Sequence, residues 1–389
     1  MSSFAAVMTG KGTGAIATIQ ISGDSAKGIL EKIFLVRRSE SEDGRPPVEL
    51  KVGKIHIGTI TDGNQTIDQV TIGCENPNTF AINCHGNPLI VERIMQLLQQ
   101  QGVELITAEQ MLCKTSVESS TIALEAKLAL PKVKTIEGTK LILNQITSGL
   151  TAVAKKWLKS PSDKIAVEAK NIIEASQIAR LIIYGCRIVL AGPPNTGKST
   201  LLNRLCGKQK AIVTDIKGTT RDWVSGDCRI GGLSVELIDT AGLDEKLADD
   251  IDKASQKAAV ELINQSNLVL LVLDNSEPAR QLTKTLADRL SDKKTLTVLN
   301  KSDLPARFDL AKLPLALSNT VLISAKLGTG IDQLCMEVQR LIGAENFDLN
   351  QPICFTSRQE QLLKQLSNAD SKDKADGIIT QLLSGRPNV

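Results

Sequence analysis

Residues 192–200 read GPPNTGKST, directly after the apolar run CRIVLA at 186–191. The order strand, glycine loop, helix start is the context that a phosphate-binding P-loop requires. Gly192 and Gly197 let the backbone turn so that successive N–H groups face phosphate oxygens, while the following helix presents its positive end. Lys198 supplies a point charge for the β- and γ-phosphates and Ser199 a hydroxyl for Mg²⁺; Asn195, Thr196 and Thr200 complete the nucleotide-binding stretch.

Three further motifs follow in order, each after a strand-like run. Asp239-Thr240-Ala241-Gly242 ends the alternating segment 233–238, which puts an acid at a strand tip for the Mg²⁺ water shell and a Gly242 amide near the γ-phosphate. Asn300-Lys301-Ser302-Asp303 ends the run 295–299. The Asp303 carboxylate can accept two N–H bonds from guanine, a pattern that adenine does not offer. Ser324-Ala325-Lys326, after 321–323, supplies a backbone amide for the guanine oxygen. Each piece alone reads as a turn or a strand end. Four in sequence predict a guanine-nucleotide domain over residues 184–345.

The 389 residues are enough for two or three domains with cores of their own. Lys and Arg total 46 against 43 Asp and Glu, so the net charge of +3 gives no field that would gather nucleic acid by itself; no DNA partner is expected, and any tRNA contact must be local. Aromatics at 2% argue against base-stacking platforms. No apolar run long enough to cross a membrane and no secretory leader is visible, so the reading is cytoplasmic. Eight scattered cysteines without a CxxC pair read as small buried hydrophobes. Cys84 and His85 are adjacent, but neighbours in a strand face opposite ways, which disfavours a shared site. His56, in the strand-like KIHIGTI, reads as structural.

Segments 15–21, 53–60, 69–73 and 80–84 read as strands, and 24–34 and 89–101 as helices, giving an α+β domain over 1–115 with an exposed charged loop at 37–47. Helical spacing runs through 119–179 with one clear break, Pro161, and returns in 357–366 and 375–383. The expected fold class is an α/β P-loop GTPase domain inserted in a helical domain (116–183 and 346–389), with an N-terminal α+β domain.

Leu243 follows Asp239-Thr240-Ala241-Gly242, where Ras-type switches use a Gln to orient the attacking water, so something else must position it. Thr220 is the expected Mg²⁺ ligand of the switch. The amide oxygen of Asn195, with carbonyls of the 214–217 loop, can build an all-oxygen cage for a monovalent cation that does the work of an arginine finger. The alternative is that Asn195 is a turn residue and the loop an ordinary switch.

GPPNTGKSTLLNRLCGKQKAIVTDIKGTTRDWV, LIDTAGL, NKSDL and ISAKLGTGID together resemble the nucleotide domain of the MnmE (TrmE) family of tRNA-modification GTPases. GTGAIATIQISG and NCHGNPLIVERIM extend the likeness to that family's N-terminal domain, in the same domain order. The resemblance implies a homodimer through the N-terminal domain, GTP as substrate with Mg²⁺ and K⁺, and cooperation with an MnmG-like flavoprotein on wobble uridine of tRNA. It places Asn195, Thr214, Ile216 and Thr219 at the potassium site, and Lys198, Thr219 and Asp252 in the catalytic set. Asp252 stands where the family has a glutamate acting through water, and the shorter acid reads equally as a solvated helix carboxylate. Two departures bear on the modification chemistry. The family ends in a Cys-containing tetrapeptide, whereas this chain has no cysteine after Cys354. Gln20 replaces an arginine associated with the formyl-tetrahydrofolate pocket, so folate is expected to bind weakly or not at all. The competing reading is a diverged regulatory GTPase switch, for example in ribosome assembly, without modification chemistry.

Overall fold

The computed structural model describes residues 3–10, 12–36, 50–115, 120–207, 224–239 and 261–385. They fall into two compact units, one within 1–119 and one within 120–386.

The first unit contains β1 (Phe4–Val7), β2 (Ile16–Ser22), α1 (Ala26–Ile33), β3 (Phe34–Val36), β4 (Ile55–Asp62), β5 (Gln65–Asn76), β6 (Thr79–His85), α2 (Pro88–Gln100), β7 (Glu104–Leu105) and α3 (Ala108–Thr115). The strands form one sheet in the order β3-β4-β5-β6-β2-β1-β7, antiparallel except for β1 beside β7. Period-two alternation turns Ile19, Ile21, Ile72 and Ile82 inward, where they share a core with Ile29 and Leu30 of α1 and Ile94, Leu97 and Leu98 of α2. Asn87 caps α2 by accepting from Leu89 N, and Pro88 stands at its first position. Cys84 is buried whereas His85 is exposed, with its Nδ1 2.7 Å from the buried Asp68 carboxylate.

The second unit begins with α4 (Thr121–Ala129), α5 (Ile136–Thr147), α6 (Leu150–Trp157) and α7 (Ser162–Tyr184). Then come β8 (Cys186–Ala191), α8 (Lys198–Cys206), β9 (Val224–Ile230), β10 (Leu233–Asp239), β11 (Leu268–Asp274), α9 (Lys284–Leu290), β12 (Thr295–Asn300), β13 (Thr320–Leu322) and α10 (Ile331–Ile342), followed by α11 (Ser357–Leu366) and α12 (Lys372–Ser384). The sheet order is β13-β12-β11-β8-β10-β9, parallel throughout except for β9 against β10. Every residue of β11 is buried, as a parallel strand covered on both faces requires. The chain leaves β8 toward β10 on one side and returns to β11 on the other. That reversal opens a crevice at the carboxyl ends of the strands, where ligands of such sheets bind.

The helices on either side of this domain in sequence pack on one another and share its core, which includes Trp157, Ile165, Ile183, Leu363 and Ile379. A buried carboxylate ties them. Glu125 on α4 accepts from Arg358 Nε at 2.7 Å and Nη2 at 2.8 Å, from Gln359 Nε2 at 2.7 Å and from Thr356 Oγ1 at 3.1 Å, and Arg358 Nη1 donates to Gln381 O of α12. Removing one member of such a pair strands a buried charge, so Glu125→Ala is expected to lower unfolding free energy by about 3–5 kcal/mol in chemical denaturation. A loss under about 1 kcal/mol would show that the pair contributes little.

The helical region differs from its expected form. Pro161 caps α7, but the chain also breaks at Leu130–Lys132 and at Ser148 and Gly149. At the second of these, the buried Gln145 side chain accepts from Leu150 N and Ile353 N and donates to Leu141 O, replacing helix bonds with tertiary ones. Among the described residues no helix is long and apolar enough to cross a membrane.

Candidate functional site

The loop from β8 to α8 is shaped by three positive φ angles: Gly192 at 140°, Asn195 at 61° and Gly197 at 93°. A Cβ on Gly192 would stand 2.2 Å from Val272 O, and one on Gly197 would stand 2.3 Å from Asn300 Nδ2. Both glycines are therefore required by close approach as well as by conformation. Gly197→Ala is expected to weaken GTP binding by roughly tenfold or more, because a strained backbone of this kind costs about 1–3 kcal/mol before the clash is counted. Unaltered affinity in a nucleotide titration would show that the loop relaxes freely.

Lys198 opens α8 and is buried, its Nζ donating to Gly192 O at 2.6 Å and Pro193 O at 2.9 Å. Its charge is thus held at the loop itself. Ser199 Oγ lies 2.6 Å from Asp239 Oδ2 at the tip of β10, so the hydroxyl and the acid predicted to serve Mg²⁺ are side by side. Thr196 is buried with Oγ1 on Pro193 O, while Asn195 and Thr200 are exposed.

Asn300 ends β12 and spends both ends of its amide inside the protein. Nδ2 donates to Thr196 O at 2.8 Å, and Oδ1 accepts from Ala325 N at 2.9 Å. It clamps the phosphate loop to the loop after β13. Asp303 accepts from Ser324 Oγ at 2.6 Å. That bond, with the nearby Lys326 and Lys301 ammonium groups, holds the Asp303 carboxyl below the usual carboxylate range. It therefore stays ionised, as recognition of two guanine N–H groups demands. Ser324 Oγ also accepts from Leu327 N, which fixes the turn carrying Ala325 and Lys326.

The structure brings together Gly192, Asn195, Thr196, Gly197, Lys198, Ser199 and Thr200 with Asp239, and joins Asn300, Lys301 and Asp303 to Ser324, Ala325 and Lys326. Thr214, Ile216, Thr219, Thr220, Gly242, Leu243 and Asp252 lie outside the described residues. Two neighbours escape sequence reasoning. Arg204 of α8 donates through Nε to Ala325 O at 2.9 Å and through Nη2 to Lys326 O, bracing the loop after β13. Asp274, at the end of β11, pairs with Lys301 at 2.6 Å. The run LVLLVLD marks Asp274 only as a strand end, and its partner is 27 residues on.

A central parallel strand, a glycine loop wrapped on a buried lysine, a serine beside a strand-tip acid and an aspartate held ionised next to a clamped asparagine define a P-loop GTPase. Residues 187–301 match the family described as 50S ribosome-binding GTPase, and residues 3–110 match that described as GTP-binding protein TrmE N-terminus. The tRNA modification GTPase MnmE of Bacillus mycoides is 30% identical over 374 residues, covering 85% of this chain and 80% of its own length. That of Lacticaseibacillus paracasei is 28% identical over 98% of this chain and 89% of its own length. Among solved structures, the G domain of the T. maritima FeoB iron transporter is similar at 26% identity and a TM-score of 0.34, covering 40% of this chain and 98% of that one. The chain belongs to the MnmE family of tRNA modification GTPases, and it binds and hydrolyses GTP.

Proposed function

We propose that GTP hydrolysis by this chain serves modification of the wobble uridine of tRNA, with the chain acting as a homodimer beside an MnmG-like flavoprotein. The observation that carries this reading is the pairing of a guanine-nucleotide site with an N-terminal domain of the TrmE type in one chain. In a deletion strain, mass spectrometry of wobble nucleosides should show the modified uridine lost and the unmodified one accumulating; an unchanged nucleoside profile would remove the reading.

In the site, backbone N–H groups that follow Pro193 and Pro194, from Asn195 into the start of α8, bind the phosphates and the Lys198 ammonium balances their charge. The donor set fits Mg²⁺: Ser199 and Asp239 offer two hard oxygens side by side at the loop, and with Thr220 they would hold the ion. Mg²⁺, when bound, neutralises the β- and γ-oxygens. Asn195 would supply one oxygen of a potassium cage, with Thr214, Ile216 and Thr219 the others, and Asp252 would act through water. Asp303 holds the guanine edge, and the Ala325 N–H, bonded to Asn300 Oδ1, fixes the neighbouring turn.

Two observations favour the competing reading, a regulatory switch without modification chemistry. Gln20 donates to Glu75 Oε2 at 2.7 Å, so its amide is engaged with a carboxylate and offers no cation to a folate glutamate tail. Cys354 is buried, its N–H on Ser176 Oγ at 2.8 Å, and burial pushes its thiol up, which suits an inert core residue. Calorimetric titration with formyl-tetrahydrofolate is expected to show weak or no binding beside firm GTP binding. Folate binding as firm as that of the nucleotide would reverse the assignment of Gln20.

A further inference from the structure

We infer that Asp274 is a positioning residue for the guanine slot, acting through Lys301; the inference rests on the guanine-nucleotide reading of the site. Lys301 has φ of 65°, a conformation that side chains with a Cβ seldom adopt and that persists only where the surroundings enforce it. Its neighbours show what enforces it. The ammonium is bonded to Asp274 Oδ2 at 2.6 Å, and that carboxylate is itself built into the end of β11. Oδ1 accepts from Ser276 N at 2.8 Å and Ser276 Oγ at 2.6 Å. The Gln281 side chain brackets the backbone, accepting from Asp274 N and donating to Asp274 O, both at 2.8 Å. Asn275 N donates to Asn300 O, which fixes β11 against the strand end that carries Lys301.

Every polar atom of Asp274 thus has a partner, and Lys301 is the partner of Oδ2. Burial works against ionisation of Asp274, and the bonds from Lys301 and Ser276 outweigh it, keeping the carboxyl below the usual range. With its head tethered, the Lys301 stem stays beside Asp303, whose carboxylate feels both Lys301 and Lys326. The stem then forms a fixed apolar wall for the base, while Asp303 reads its edge. A wall has no preference among purines, whereas an edge reader does, and this separates the two roles experimentally.

The test is titration of the full chain with GTP, combined with steady-state kinetics, for Asp274→Asn, Lys301→Met and the double variant. Asp274→Asn should weaken GTP binding about tenfold, the scale of one charge-assisted bond, with the loss falling on KM rather than kcat. The double variant should bind no worse than the weaker single variant, since both remove one tether. In an Asp303→Asn background, Asp274→Asn should weaken xanthosine triphosphate by the same factor. Ser276→Ala, which removes one bond to Asp274 and leaves the ion pair, should give a smaller loss in the same direction and guards against misfolding of the first variant. Full GTP affinity in Asp274→Asn, or single losses that multiply in the double variant, would overturn the inference. Failure of the unsubstituted chain to bind GTP would overturn the guanine reading together with it.

Discussion

Replacing Asp303 by asparagine is expected to move the chain's preference from GTP to xanthosine triphosphate. The carboxylate offers two acceptors to the N–H groups of guanine; the amide offers one acceptor and one donor, and the donor faces an N–H. A site built to bond a particular edge discriminates by about 10⁴-fold when that edge is changed, because its polar groups are left unpaired. Xanthine carries an oxygen where guanine carries the amino group, so the amide suits it. Ser324 Oγ, 2.6 Å from Asp303, can also donate to the asparagine oxygen, so the side chain should keep its place. The readout is competitive binding of the two triphosphates to the variant. GTP affinity equal to that of the unsubstituted chain would move the base away from Asp303.

Turnover should rise by about a hundredfold when potassium replaces sodium at equal ionic strength, the scale of one oxyanion-type stabiliser worth roughly 3 kcal/mol. Leu243 can neither orient water nor move a proton, so the water has to be positioned from elsewhere, and a monovalent cation beside the β- and γ-phosphates would supply the charge neutralisation of an arginine finger. Asn195 is exposed on the phosphate loop in a left-handed conformation, φ 61°, with an oxygen to offer. Asn195→Ala should therefore abolish most of the potassium response while nucleotide affinity falls much less. Equal rates in the two salts would eliminate the cation cage and leave Asn195 as a turn residue.

The nucleotide domain was legible because its functional groups sit in contiguous stretches at strand ends, where local chemistry and position coincide. The core strands 186–191 and 295–300 carry largely apolar text between the motifs they position, whereas the wholly buried run 268–274 carries no motif and escapes sequence reading. The first unit was less legible. β1, β3 and β7 have 4, 3 and 2 residues, too short for a period to register, and β7 finds its partner β1 about a hundred residues back. β5 extends well beyond the expected 69–73, since pairing with β4 and β6 holds polar residues such as Thr66 and Asn76 in the sheet. The helix break at Gly149 depends on Gln145 reaching the backbone of Ile353, 208 residues away, which no local pattern announces. The same applies to Arg204 and Asp274, ordinary charged residues whose roles exist only once α8, β11 and β12 are side by side.

The most direct test of the account is calorimetric titration of the full chain, with Mg²⁺, by GTP and by ATP in parallel. The arrangement of Lys198, Ser199, Asp239, Asn300 and Asp303 predicts one firm GTP site per chain and no measurable ATP binding at the same concentrations. Equal heats for the two nucleotides, or none for GTP, would contradict it.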